Sequence, residues 1–131
     1  MSHVEPFRRQ AHPLRGLAYN LRRLVAPRSH IGIALPEQHL RFSLPIGSIF
    51  ARLLYKYGEY ERGVSNWLIE HHRHLGHGLF VDVGANFGWY SCLMVALDAN
   101  RPIIAFEPEP HNFELLTQQL ALNGAKAVQA L

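Results

Sequence analysis

The chain has 131 residues, 48% of them hydrophobic, and a formal net charge of +3. This composition suits one globular domain and excludes wholesale disorder. A single cysteine, Cys92, excludes an internal disulfide and a cysteine-based zinc site. The charge is uneven: residues 1–30 carry six arginines against one acid, a balance of +5, and the remaining 101 residues carry seven basic against nine acidic side chains, a balance of −2.

Residues 1–13, with Pro6 and Pro13, read as a flexible basic arm. From 14 to 25, Leu14, Leu17, Ala18, Leu21, Leu24 and Val25 recur at helical spacing, with Arg15, Arg22 and Arg23 on the other face. That pattern predicts a short amphipathic helix, either packed on the domain by its apolar face or lying on a membrane surface. Residues 26–48 are broken by Pro27, Pro36 and Pro45, and leave room for short extended pieces over 31–35 and 40–44. Tyr55, Tyr57 and Tyr60 sit among only Lys56 and Arg62. Aromatics among basic residues can bind single strands, but this funnel is too thin, so no nucleic-acid partner is expected. A helix is predicted over 63–75, with Val64, Trp67, Leu68 and His71 inward and Gly76 and Gly78 ending it. His71, His72, His74 and His77 gather near its end; the reading is a polar helix terminus and no metal site.

The pattern then changes. An apolar run over 79–83 has the form of a parallel strand buried on both faces. A turn over 84–88 leads to an apolar helix over 89–97, where Cys92 is expected as an inert buried thiol. A second strand is predicted over 102–106, a helix to about 122 with Phe113, Leu116 and Leu120 inward, a stop at Asn123-Gly124, and a third strand opening over 127–131. This alternation is the first half of a doubly wound, Rossmann-like α/β sheet. The expected organisation is a basic arm with a short helix over 1–40, a lead-in helical segment over 41–78, and that half-domain over 79–131. Its first strand would be an edge, with Phe80, Val81 and Val83 beside unpaired backbone groups. The fold therefore reads as truncated after the third strand and able to self-associate through the unfinished edge. No run reaches the ~18 apolar residues of a membrane span, and no secretory apolar region opens the chain. The expectation is a cytoplasmic protein without a transmembrane segment.

The turn carries the chemistry. Gly84, Asn86 and Gly88 form G-x-N-x-G between a strand and a helix. Gly84 can adopt conformations closed to other residues, Asn86 tolerates left-handed geometry, and Gly88 lets the helix start close against the strand. The helix N-terminus beyond presents free N–H groups that suit an anionic ligand group. Glu107 follows 23 positions after Gly84, at the end of the neighbouring strand, where a carboxylate can accept both hydroxyls of a ribose. Asp82, just before the turn, faces the same crevice and could hold an amino group. A nicotinamide fingerprint, G-x-G-x-x-G, would need glycine at 86 and 89, where Asn86 and Trp89 stand.

Three segments together, V-D-V-G-A-N-F-G-W-Y-S (81–91), A-F-E-P-E-P-H-N-F-E-L-L (105–116) and L-N-G (122–124), resemble the FkbM family of methyltransferases. G-E-Y-E (58–61) is similar to that family's lead-in motif. The resemblance implies a class I methyltransferase fold and S-adenosylmethionine as cofactor. It implies methyl transfer to a hydroxyl of a sugar or natural product, so the partner is a small-molecule or glycan acceptor. By position it gives Asp82, Gly84, Asn86 and Gly88 to the methionine moiety, Glu107 to the ribose, and Glu61 to the cofactor's approach. It names no catalytic base, because the later strands of the family are absent; the 131-residue chain alone is expected to be inactive. Trp89 and Tyr90 either lean on the sulfonium or pack in the core. The alternatives are a non-catalytic Rossmann-like binding module and a nicotinamide-dependent oxidoreductase.

Overall fold

Two sheets organise the protein. The structure, a computed structural model, describes residues 4–8 and 13–131. Helix α1 (Pro13–Val25) precedes an antiparallel hairpin of β1 (His30–Leu35) and β2 (Leu40–Pro45), followed by helices α2 (Ile49–Tyr57) and α3 (Arg62–His71). Then come β3 (Phe80–Val83), α4 (Trp89–Leu97), β4 (Ile103–Phe106), α5 (Pro110–Leu122) and β5 (Val128–Ala130).

The hairpin follows from strict alternation. Ile31, Ile33 and Leu35 face Leu44, Phe42 and Leu40 across the ladder, and all six are buried. The two extended pieces were legible in the sequence; their pairing was not. A 3-10 turn at 36–38 and left-handed His39 reverse the chain between them. Helix α2, which the sequence left inside the lead-in segment, starts on Ser48, whose hydroxyl accepts from the Ala51 N–H at 3.1 Å. It ends where Gly58 turns left-handed and donates to the Leu54 carbonyl.

The second sheet is parallel, ordered β3-β4-β5, with Phe80 opposite Ile103 and Ile103 opposite Val128. This is the expected strand–helix alternation, with β3 at the edge. One expectation is corrected. Asp82, Ile103 and Ala105 are buried, but Val81, Val83 and Phe106 on the alternate positions are 47%, 79% and 40% exposed. Nothing among the described residues covers that face, so the strands are buried on one face only.

Three further readings change. Residues 4–8 are anchored: Val4 and Phe7 are buried, and the Asn66 side chain both accepts from the Phe7 N–H (2.7 Å) and donates to the Phe7 carbonyl (3.0 Å). The rest of the supposed flexible arm, 1–3 and 9–12, lies outside the described residues. Helix α3 is rolled relative to the prediction: Ser65, Leu68 and Ile69 are buried, while Val64 and Trp67 are about half exposed. The roll delivers the small Ser65 to the core, where its hydroxyl accepts from the Trp89 indole at 2.9 Å and donates to the Tyr60 carbonyl at 2.8 Å. Helix α1 forms as predicted but packs by its other face. Tyr19 is its buried residue and donates its hydroxyl to the Ile46 carbonyl, whereas Leu14, Leu17, Leu21, Leu24 and Val25 are 61–82% exposed.

Helix α5 closes the hairpin's outer edge. Gln119, fully buried, accepts from the Ser43 N–H (2.8 Å) and donates to the Ser43 carbonyl (2.9 Å). One turn later Asn123 does the same with Arg41, at 2.9 and 2.7 Å. Two amide side chains thus stand in for a missing neighbouring strand and satisfy backbone groups that an open edge would expose.

Candidate functional site

The turn after β3 is the point where the expected residues meet. Gly84, Asn86 and Gly88 all have positive φ, at 74°, 52° and 86°. A left-handed asparagine between two left-handed glycines is what the G-x-N-x-G spacing requires. The N–H groups of Gly84 and Ala85 both donate to the Phe106 carbonyl at 2.9 Å, so the turn is tied to the end of β4. Phe87, inside the turn, is buried against Phe42, Phe50 and Tyr60, with ring centroids 4.7–5.7 Å away. This aromatic plug holds the loop in place and joins it to the hairpin and lead-in.

Gly88 has a different partner from the one expected. A Cβ there would lie 2.7 Å from Leu116 Cδ1, so its bare α-carbon permits contact with α5, not with a strand. Around Gly84 no atom lies within 4 Å of a would-be Cβ, which leaves open space above the backbone.

Glu107 reaches the turn directly. Its Oε2 accepts from the Asn86 N–H at 2.7 Å, and its Oε1 accepts from the Glu109 N–H at 2.9 Å. The carboxylate therefore shapes the loop. Each oxygen retains acceptor capacity, since an ionised carboxylate offers about four lone-pair sites. Beside it, Asn86 Oδ1 is buried without a hydrogen-bond partner among the described residues, a position that favours a donor.

Asp82 is buried at the start of α4. Its Oδ2 accepts from the Ser91 hydroxyl at 2.6 Å and from the Ser91 N–H at 3.1 Å. Gly88, at the N-cap, has no side chain to do this, so the strand supplies the cap. Burial pushes the Asp82 carboxyl above its usual range, and the Ser91 bonds hold it back only partly. Sequence reasoning missed Ser91; a serine three positions past a glycine N-cap was the available signal. With Asp82 on Ser91 and Glu107 on Asn86, the turn's bonded N–H groups are accounted for. The N–H groups of Phe87, Trp89 and Tyr90 have no acceptor among the described residues, an arrangement that suits an anionic group.

Glu61 also arrives here, from the lead-in. It sits at the N-cap of α3 in a left-handed conformation (φ 43°), and its Oε2 accepts from the Tyr90 hydroxyl. Burial, with Glu61 beside it, pushes the Tyr90 phenol well above its ordinary range, so Tyr90 stays a neutral donor. A non-glycine residue at positive φ carries strain that local contacts must sustain. Trp89, by contrast, is core: it is 2% exposed and stacks on Phe42 at 5.4 Å.

The remaining candidates lie elsewhere. The Cys92 thiol is buried and pushed up to about 12, mainly by burial, with Asp82 adding to it. His71 and His72 donate through Nδ1 to carbonyls of their own helix at 2.8 Å, His71 stacks on Trp67, and His77 lies 3.7 Å from Asp98. Among the described residues no three His, Cys, Asp or Glu side chains group as a metal site. No helix among them is long and apolar enough to cross a membrane.

No protein-family model matches the chain. Over 53 residues it is 43% identical to the methyltransferase sdnD of Sordaria araneosa, a match that takes in 37% of this chain and 20% of that protein. The fold is similar to a crystal structure from Pyrococcus horikoshii described as a "putative transferase", with a TM-score of 0.52 at 16% identity over 91% of this chain and 47% of the other. The chain thus has an α/β fold similar to that of the second protein and a distant, partial homology to a methyltransferase. It spans a fifth of the length of the first protein and about half of the second.

Proposed function

We propose that this chain is the cofactor-binding part of an S-adenosylmethionine-dependent methyltransferase of the FkbM type, acting on a hydroxyl of a sugar or natural product. The observation that carries the reading is the bond from Asn86 N–H to Glu107 Oε2, which joins the strand-end acid and the glycine turn into one unit. In this reading the N–H groups at the start of α4 receive the methionine carboxylate, over the open space at Gly84. Asp82 Oδ1, which makes none of the Ser91 bonds, receives the amino group. The free lone pairs of Glu107 receive the ribose hydroxyls. Glu61 and Tyr90 line the approach. The cofactor, when bound, supplies an activated methyl on a sulfonium. The chain's part is to orient it, because displacement at that methyl depends on alignment. The base that takes the acceptor's proton is not assigned to any of the described residues.

The nicotinamide alternative finds little support. At position 89, where its fingerprint places glycine, an indole is wedged between Phe42 and Ser65. A non-catalytic module remains the second reading, favoured by one fact: both Glu107 oxygens already hold backbone N–H groups. Calorimetry of the chain with S-adenosylhomocysteine separates the two. The methyltransferase reading expects saturable binding that weakens roughly 10- to 100-fold in Glu107→Gln, the worth of one or two charge-assisted hydrogen bonds. Absence of binding, unchanged binding in the variant, or preferential binding of NADH would overturn it.

A further inference from the structure

Helix α1 presents its apolar face to solvent. Leu14, Leu17, Leu21, Leu24 and Val25 are 79%, 69%, 61%, 82% and 77% exposed. At 100° per residue they fall within one arc of the helix, with Ala18 among them. The opposite side holds the helix on the protein: Tyr19 donates to the Ile46 carbonyl and its ring lies 5.7 Å from that of Tyr55, and Gly16 rests on the Lys56 side chain. The orientation is therefore set by a buried hydroxyl and a glycine, and the leucines are left out as a consequence. A contiguous apolar stripe of this kind on a surface marks an interaction site.

The charge beside the stripe identifies the occupant. Arg15 and Arg22 border the leucine arc on one flank, and both are exposed. From Glu5 to Glu37 the chain has no acidic residue and holds six arginines, Arg8, Arg9, Arg15, Arg22, Arg23 and Arg28. The rest of the protein is net acidic, so the positive charge is concentrated in the stretch of sequence that holds this helix. A leucine face bordered on one flank by arginine, on a helix that itself carries no acid, is complementary to an anionic bilayer surface, where apolar side chains enter the acyl boundary and guanidinium groups stay at the headgroups. An antiparallel pairing of two copies through their leucine faces is a poor match, because it would bring Arg15 and Arg22 of both copies onto the same side. We propose that α1 is an interfacial docking helix that seats the protein on a membrane surface rich in anionic lipid. The helix is already formed and already turned outward, so little ordering cost is left to offset on contact. The surface supplies a location only, and the proposal does not depend on what the glycine turn binds.

Co-sedimentation of the full chain with lipid vesicles tests this. The vesicles are phosphatidylcholine alone, or phosphatidylcholine with roughly one-third phosphatidylserine. The chain is expected to partition at least tenfold more strongly onto the anionic vesicles, and to be released at about 0.5 M salt, where the screening length falls to about 4 Å. Arg15→Gln with Arg22→Gln should weaken binding about 25-fold, at about fivefold per arginine near such a surface. Leu17→Gln with Leu21→Gln should weaken it at least tenfold. Both pairs alter exposed side chains and keep Tyr19, so far-UV circular dichroism should be unchanged. A Leu21→Trp variant gives a second readout: its fluorescence should shift to the blue on anionic vesicles and stay put on neutral ones. The proposal is overturned by any of three results. They are no partition onto anionic vesicles, equal partition onto both kinds, or wild-type binding by the leucine pair. A dimer in gel filtration that the leucine pair dissolves, without vesicle binding, would give the face to a second copy and overturn it equally.

Discussion

Substituting Gly84 and Gly88 separately by alanine should distinguish a residue needed for space from one needed for packing. Both have left-handed φ, +74° and +86°. An alanine at either pays about 1–2 kcal/mol for that conformation. At Gly84 this is the whole cost, since the new methyl meets nothing within 4 Å. At Gly88 the methyl falls 2.7 Å from Leu116 Cδ1, the tip of a fully buried side chain that must shift to admit it. Overpacking of that kind adds about 1–3 kcal/mol. Urea unfolding should therefore show Gly88→Ala less stable than the parent by about 2–5 kcal/mol, and Gly84→Ala by about 1–2 kcal/mol. For a chain of this length the thermal midpoints should fall by about 8–20 °C and about 4–8 °C. The ligand should respond in the reverse order. Gly84→Ala places a methyl in the open space over the turn and should weaken S-adenosylhomocysteine at least tenfold, while folded Gly88→Ala should keep most of its affinity. Equal stability losses, or a larger loss for Gly84→Ala, would refute the reasoning.

Other substitutions probe the supporting structure. Asp82→Asn should flatten the acid side of the stability–pH curve. The carboxyl holds its proton more tightly when folded, so its contribution is greatest below the unfolded value near 3.9 and is lost as pH rises toward the raised folded value. Subtracting the variant's curve from the parent's, measured by urea unfolding, should reveal that slope. Gln119→Ala removes both bonds to Ser43 and should cost about 2–3 kcal/mol, with light scattering showing more aggregation as the edge of β2 opens. Phe7→Ala should cost about 3 kcal/mol if the segment 4–8 is anchored through its packing on Trp89 (centroids 5.3 Å), and near zero if it is a free arm. Cys92 should resist a thiol reagent at pH 8 in the native protein and react promptly in urea, because its thiol is buried and pushed up to about 12.

The half of the fold from β3 onward was legible because its signals are local. Continuous apolar runs of four or five residues, a glycine turn and a helix stop at Asn123-Gly124 each declare themselves within a short window. The unusual backbone at Gly84 and Asn86 was legible for the same reason, whereas Gly88 was read as packing on a strand and meets Leu116 of α5. What could not be read depends on partners far along the chain. Gln119 and Asn123 face β2 from 76 and 82 residues away, and nothing in their neighbourhood marks them as substitutes for a strand. Helical periodicity showed that α1 and α3 have an apolar face but not which face meets the protein. In α1 the Tyr19 hydroxyl decided it, and in α3 the need of Trp89 for a hydroxyl partner did. Asp82 was read as facing a ligand because it precedes the turn, yet its first obligation is to the uncapped start of α4.

That shared duty extends to Glu107 and governs how the site must be tested. A carboxylate that both shapes a loop and receives a ligand cannot be deleted cleanly. In Glu107→Ala the Asn86 and Glu109 N–H groups lose their acceptors, and a fall in affinity could reflect a collapsed turn. Glu107→Gln keeps one carbonyl oxygen and so can hold one of those N–H groups, but it offers a donor where the other oxygen stood. The two variants should therefore separate: the alanine loses stability and affinity together, and the glutamine loses affinity with a smaller loss of stability. If affinity tracked stability in both, Glu107 would be a brace for the turn and the ribose would need another partner. Asn86 Oδ1, on the same turn and without a hydrogen-bond partner among the described residues, is an acceptor that could supply one.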